Sequence, residues 1–274
     1  MIDRYSKYDS FLPIIRSLSI ILNYFSFIFN YDTIRIILGS GVFLMIKNSV
    51  EIESCRFVLE PSYKKDGSVH SWEILTKNVK KKNANGYLAN ESAFCFSTLS
   101  DKEKIDLFNK QILTIEEIDA YKLKLKPVSL NVDSLISDYI LNDKYISDYL
   151  KKQKNIAFEI NEEFHEFNTK CCMIDLKCLS KLCPVWLDDF GRGLTSITII
   201  QMFNFECIKI DKDYFWEIQY ESKLFKILNE VKSYCNFVIV EGVETIEQKN
   251  KVHSVVDCAC QGRLWMSDYY YVEI

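Results

Sequence analysis

Glycine and proline are scarce: the 274-residue chain holds 8 Gly and 4 Pro, which excludes a collagen-like repeat, a proline-rich linker protein and a turn-dense sandwich. A cationic excess is missing too. Lys and Arg number 34 against 38 Asp and Glu, for a net charge of −4, whereas domains that grip nucleic-acid polymers carry a basic surplus. No G-x-G-x-x-G or G-x-x-x-x-G-K-[ST] loop follows the early apolar runs, so a phosphate-cradling glycine turn has no candidate. The uncharged run Ser17–Tyr31 is 15 residues long, short of the ~20 needed to span a bilayer.

Apolar residues make up 48% and charged residues 26%, too apolar for disorder and ordinary for a folded domain. Ten cysteines are present. The chain is too long for a small disulfide scaffold and shows no evident cleavable leader. Cys171, Cys172, Cys178 and Cys183 are the nearest approach to a zinc motif, but they lack a second spaced pair and nearby histidines. Reduced, mostly buried thiols in a cytoplasm are the expectation.

Residues 1–48 read as an apolar N-terminal segment distinct from residues 49–274. From Phe11 to Tyr31 the polar positions recur every three or four residues, which leaves a narrow polar stripe on an apolar helix. A second uncharged run, Ile36–Ile46, contains Gly39 and Gly41. A membrane-associated anchor over residues 11–46 and a helix packed on the main domain stand level.

Beyond that segment, short β-branched or apolar runs alternate with helix-like stretches. The runs are Arg56–Pro61, Ser68–Leu75, Pro127–Asn131, Ile156–Glu159, Pro184–Asp188, Glu206–Ile210, Asn236–Glu241 and a weaker one near Val256–Gly262. Helical stretches between them include Asp101–Ile118, Asp133–Lys151 and Lys212–Ser233. Strand alternating with helix predicts βα units, and eight such strands in about 220 residues predict an α/β fold of the closed (β/α)8, TIM-like type. The longest gap, Leu75 to Pro127, carries the Lys77–Lys82 run, which reads as a solvated loop.

The C-terminal ends of barrel strands converge on one face, where the chemistry sits. There this sequence places Glu73, Asn131, Glu159, Asp188, Asp189, Asp211 and Glu241. A single acid at a strand end is more often a helix cap. Five successive strand ends bearing an acid or an amide are hard to obtain from capping alone. Carboxylates so gathered repel one another unless cations lie between them, and oxygen-only donors suit Mg²⁺ or Mn²⁺. A cluster of this size can hold two ions, the arrangement that cleaves phosphate esters. Lys209, two residues before Asp211, turns to the same side of its strand and could orient water and offset transition-state charge.

Seven segments in order resemble the motif set of EAL-domain cyclic-di-GMP phosphodiesterases: Trp72-Glu73-Ile74-Leu75, Ser129-Leu130-Asn131-Val132, Phe158-Glu159-Ile160-Asn161-Glu162, Leu187-Asp188-Asp189-Phe190-Gly191, Ile208-Lys209-Ile210-Asp211, Val240-Glu241-Gly242-Val243-Glu244 and Gln261-Gly262. Leu59-Glu60-Pro61 resembles the family's entry strand. The resemblance implies hydrolysis of cyclic di-GMP to linear pGpG with a two-metal Mg²⁺ or Mn²⁺ site. It implies that Glu73, Asn131, Glu159 and Asp188 hold one ion and Asp189 the second. Lys209 would orient the attacking water, Asp211 and Glu241 would complete the metal and water shell, and Gln261 would lie near the nucleophile. Glu162 and Glu244 match positions that couple the loop after Asp188-Asp189 to dimerisation, so a homodimer is implied.

The sequence also departs from the family pattern. The name-giving Ala is Ile74. Lys77 stands where an Arg contacts a ligand phosphate, keeping the charge but not the bidentate fork. Arg192 replaces a small residue after Gly191, and Glu60 replaces a Gln. These changes keep open an alternative of another class: a non-hydrolytic cyclic-di-GMP sensor or protein-interaction module on the same barrel.

Overall fold

The structure is a computed structural model and describes residues 33–37, 43–47, 55–78, 96, 99–118, 123, 126–161, 164, 170–192, 197–220 and 222–272. The chain divides into two units, Met1–Glu53 and Ser54–Ile274. In the first, β1 (Thr33–Ile37) and β2 (Phe43–Lys47) pair antiparallel, with Thr33 opposite Lys47. The helix expected over 11–31 lies outside the described residues.

The second unit carries β3 (Cys55–Lys64), β4 (Val69–Asn78), α1 (Asp101–Glu117), β5 (Val128–Asn131), α2 (Ser134–Asn142), α3 (Lys144–Leu150), β6 (Ile156–Ile160), α4 (Lys170–Leu179), β7 (Val185–Phe190) and α5 (Ile197–Met202). It continues with β8 (Cys207–Ile210), α6 (Lys212–Ile218), α7 (Lys223–Lys232), β9 (Phe237–Val240), α8 (Ile246–His253), β10 (Ala259–Gln261), a 3-10 turn (Arg263–Asp268) and β11 (Tyr270–Val272). Strands β3 to β10 lie side by side in chain order, and β10 pairs back onto β3. The barrel is closed, as the strand spacing predicts.

Its entry departs from the parallel pattern. β4 to β10 run parallel, but β3 is antiparallel to both β4 and β10. The cause is local: Lys64 and Val69 are joined by a tight turn with Gly67 at φ 80° and Asp66 accepting from the Ser68 N–H, which leaves no length for a crossover helix. β11 then adds to the outer edge of β3.

Alternation along the strands sorts the side chains into an outer and an inner set. Outward, Leu130, Phe158, Ile160, Leu187, Ile208, Ile210, Val238 and Val240 are fully buried beneath the helices; each such side chain contributes ~1.5–3 kcal/mol relative to exposure. Inward, the floor is Ala157, Trp186, Cys207, Ile239 and Ala259, a packed apolar cluster with Phe237 against it. Two residues further along these same strands stand Glu159, Asp188, Lys209, Glu241 and Gln261. The barrel is therefore apolar below and charged above, and the switch comes within one pleat.

Candidate active site

Lys209 is the centre of the charged layer. Its side chain is 1% exposed, and its Nζ lies 2.9 Å from Glu73 Oε2, 3.3 Å from Glu159 Oε1, 3.1 Å from Asp188 Oδ1 and 2.7 Å from Glu241 Oε1. Four strands thus bring four carboxylates around one ammonium. Burial alone would lower the lysine's pKa, but the carboxylates of Asp188, Glu159, Glu241 and Glu73 outweigh it and hold Lys209 well above its ordinary value.

The carboxylates divide into two kinds. Glu73 is opposed by burial, yet Lys209 and hydrogen bonds from Gln261 and Asn131 hold it below the usual range; the Gln261 Nε2 donates to Glu73 Oε2 over 2.7 Å. Glu159 goes the other way. Burial, then the charge of Glu73, drives it well above its ordinary value. Burial raises Asp188 as well, and pushes Glu241 up to about 8 against the pull of Lys209. One positive charge cannot neutralise four acids.

Asp188 and Asp189 are consecutive, so a regular strand would turn them to opposite faces. The register of β7 against β8 slips between Leu187 and Phe190, and Asp189 adopts φ 56°, a left-handed conformation that costs a non-glycine residue ~1–2 kcal/mol. The bulge re-aims the pair: oxygens of Asp188, Asp189 and Glu241 lie within 4.8 Å of one another, a spacing suited to an ion. Gly191 finishes the bulge at φ 99°, where any Cβ would stand 2.0 Å from the Tyr214 ring.

The donor set fits a divalent ion. Glu159 Oε1 and Asp188 Oδ1 are buried without an aligned hydrogen bond and face the Lys209 ammonium that Glu73 and Glu241 also share, so one positive charge is spread over four acids where further cations would complete the balance. All donors are oxygens, the preference of Mg²⁺ and Mn²⁺.

The remaining sequence candidates fall as follows. Asp211 is buried and caps α6, its Oδ1 accepting from the Asp213 and Tyr214 N–H groups, so one oxygen is committed to the fold. Asn131 ends β5 beside Glu73. Lys77 lines a cavity of about 450 Å³ together with Glu60, Glu73, Glu241, Glu244 and Gln261. Glu244 is paired with Arg263 at 3.4 Å. Glu162 lies outside the described residues. Cys172 and Cys183 donate separately to the Phe164 and Leu150 carbonyls, as buried thiols rather than a shared site.

Two features were not assigned a place from sequence. Arg192 Nη1 bonds Asp189 Oδ2 at 3.1 Å, so the unusual cation is closed onto the residue expected to hold the second metal. Trp216, which donates from Nε1 to the Gly242 carbonyl over 2.7 Å, forms a cavity wall with Tyr269 and Arg263. An i,i+3 Asp–Arg spacing was the available signal for the first; nothing local marks the second.

The family model described as EAL domain matches residues 53–268. The chain belongs to the EAL-domain family. Among relatives of this EAL protein, "Cyclic di-GMP phosphodiesterase PdeH" of Escherichia coli K12 is 25% identical over 213 residues, 75% of this chain and 80% of PdeH. "Anti-FlhC(2)FlhD(4) factor YdiV" of Salmonella paratyphi B is 25% identical over 174 residues, 62% of this chain and 73% of YdiV. Solved structures share the fold, among them the following two. The EAL-like domain protein YdiV has TM-score 0.65 at 19% identity, covering 80% of this chain and 92% of its own. Klebsiella pneumoniae BlrP1, in a manganese and cyclic-di-GMP complex, has TM-score 0.61 at 17% identity, covering 85% and 57%.

Proposed function

We propose that this EAL domain hydrolyses one phosphodiester of cyclic di-GMP to linear pGpG. One observation carries the reading: four strand-end carboxylates surround Lys209 Nζ within 3.3 Å, an excess of negative charge that two further cations would balance. Glu73, Asn131, Glu159 and Asp188 would hold one Mg²⁺ or Mn²⁺, and Asp189 the second. Such ions, when bound, supply Lewis-acid polarisation of the phosphate and a water acidified enough to attack.

The chain's own residues supply the rest. Lys209 donates to the attacking water and offsets the charge that builds on the phosphate oxygens. Gln261 fixes the Glu73 carboxylate in place through its Oε2. Glu241 and the second oxygen of Asp211 complete the shell around the water. Lys77 meets a ligand phosphate from the wall of the cavity. Glu162 and Glu244 couple the loop after Asp189 to a homodimer. We assign residues 49–274 to this domain in a cytoplasmic protein, with residues 11–46 as its contact with a membrane surface; among the described residues no helix is long and apolar enough to cross one.

The Arg192–Asp189 pair favours a second reading, a sensor or interaction module that binds the dinucleotide without cutting it. Incubation of the folded protein with cyclic di-GMP and Mn²⁺ separates the two. Formation of pGpG supports the hydrolase; tight calorimetric binding with the dinucleotide recovered intact overturns it.

A further inference from the structure

A second cluster of ligating side chains lies away from the charged mouth, on the outer side of β10. Ala259 and Gln261 face the barrel interior, so Cys258 and Cys260 alternate outward, towards His253 at the end of α8. All three are buried, at 7% exposure for His253 and 0% for each cysteine. The Cys258 Sγ lies 3.8 Å from His253 Nδ1, and the Cys260 Sγ lies 3.6 Å from Nε2. One donor atom from each residue falls within 4.8 Å of the other two.

We propose that His253, Cys258 and Cys260 form a binding site for one thiophilic cation, zinc, clamping the end of α8 to β10. The observed separations are close to the edges of a tetrahedron with Zn–S of about 2.3 Å and Zn–N of about 2.0–2.1 Å. Each ring nitrogen faces a different sulfur, so closure on one ion requires the imidazole to turn about Cβ–Cγ, a soft torsion. Three protein donors leave the fourth position to water.

A disulfide is the competing chemistry for two neighbouring thiols. Residues two apart on a strand have Cα atoms separated by about 6.6 Å, at the outer limit of disulfide geometry and well beyond its preferred 5.5–6 Å. A bridging ion spans that gap without moving the backbone. Soft thiolates also select against Mg²⁺ and Mn²⁺, so this site and the carboxylate cage take different metals. The inference is independent of the hydrolase reading, because its ligands lie on the outer side of β10 whereas Gln261, on the inner side, bonds Glu73.

The test uses the full chain, freed of metal by chelation and kept reduced, with Co²⁺ as a spectroscopic stand-in for zinc. The expected result is one equivalent bound in the presence of excess Mg²⁺. It should show a thiolate-to-cobalt charge-transfer band and the strong visible absorption of a tetrahedral site, both displaced by zinc. Cys258→Ala with Cys260→Ala should abolish the band, whereas Glu73→Gln should leave it intact. Should the double variant fail to fold, Cys260→Ala alone should weaken the band at least tenfold. Absence of the band in the unaltered protein, or its persistence after loss of both thiols, overturns the proposal.

Discussion

The two sides of the charged mouth are built on opposite plans. Around Glu73 the protein satisfies its own acid: Lys209, Gln261 and Asn131 converge on one carboxyl and hold it ionised. Around Glu159, Asp188 and Glu241 the same lysine is shared too widely, and burial drives these groups towards their protonated forms. The first side is an organised anchor. The second is electrostatically unfinished and becomes stable when cations arrive, which is how a buried cluster of acids can be both foldable and ready to bind metal.

The largest expected effect comes from dismantling the anchor. Lys209→Ala or Glu73→Ala should lower the rate of pGpG formation by about two to four orders of magnitude, with the circular dichroism spectrum unchanged. A loss below tenfold in either variant would show that these residues do not carry the roles given to them.

The unfinished side predicts a pH dependence that metal removes. The Glu241 carboxyl titrates near 4.5 in the unfolded chain and about 8 in the folded one, so the folded state retains a proton that the unfolded state has lost. The Glu241 contribution to the stability of the metal-free protein should therefore fall as pH rises from about 4.5 through about 8. Saturating Mn²⁺ should abolish that decline. His70 acts in the opposite direction on the acid side. Burial holds it near 4 in its stack on Phe237, 3.9 Å away, so its own contribution is lost as pH falls from 6.5 towards 4, offsetting the Glu241 gain there and leaving the net decline to show above 6.5. Thermal unfolding at pH 5, 6.5 and 8, with and without Mn²⁺, checks both; equal decline above 6.5 in both conditions would contradict the unfinished side.

The barrel and the gathering of its acids were largely legible in the sequence; the division between the two sides was not. The eight barrel strands could be read because short apolar runs alternate with helix-like stretches, five of them in succession ending in an acid or an amide, and Lys209 because a lysine inside a β-branched run has no solvent to reach. The antiparallel entry of β3 was not legible: strand periodicity carries no direction, and only the shortness of the turn at Gly67 sets it. β11 is three residues long and pairs only at an edge, too little for a pattern. Asp188-Asp189 was legible as chemistry but not as geometry, since the slip that turns both inward depends on β8. His253 and its two thiols escaped because their spacing follows no familiar zinc arrangement and acquires meaning only when α8 folds back on β10.

Smaller effects should come from the unusual cations. The Arg192–Asp189 contact is largely exposed, and exposed pairs contribute only ~0.2–1 kcal/mol. Arg192→Gly should therefore tighten the Mn²⁺ site at Asp189 by about twofold to fivefold, read by calorimetry; unchanged affinity would mean that the guanidinium does not compete with the ion. Smaller again, Lys77→Arg restores a bidentate fork and should lower the KM for cyclic di-GMP by about twofold to threefold, about half a kcal/mol, with kcat unaltered. A change in kcat instead would place Lys77 in the chemical step.

The central claim is that the mouth of this barrel is a cage for divalent cations. Anomalous scattering from crystals grown with Mn²⁺ tests it most directly. The account predicts two manganese peaks, one among Glu73, Asn131, Glu159 and Asp188 and one at Asp189. Well-ordered crystals with no manganese at those side chains, and Lys209 alone at the centre of the acids, would contradict it.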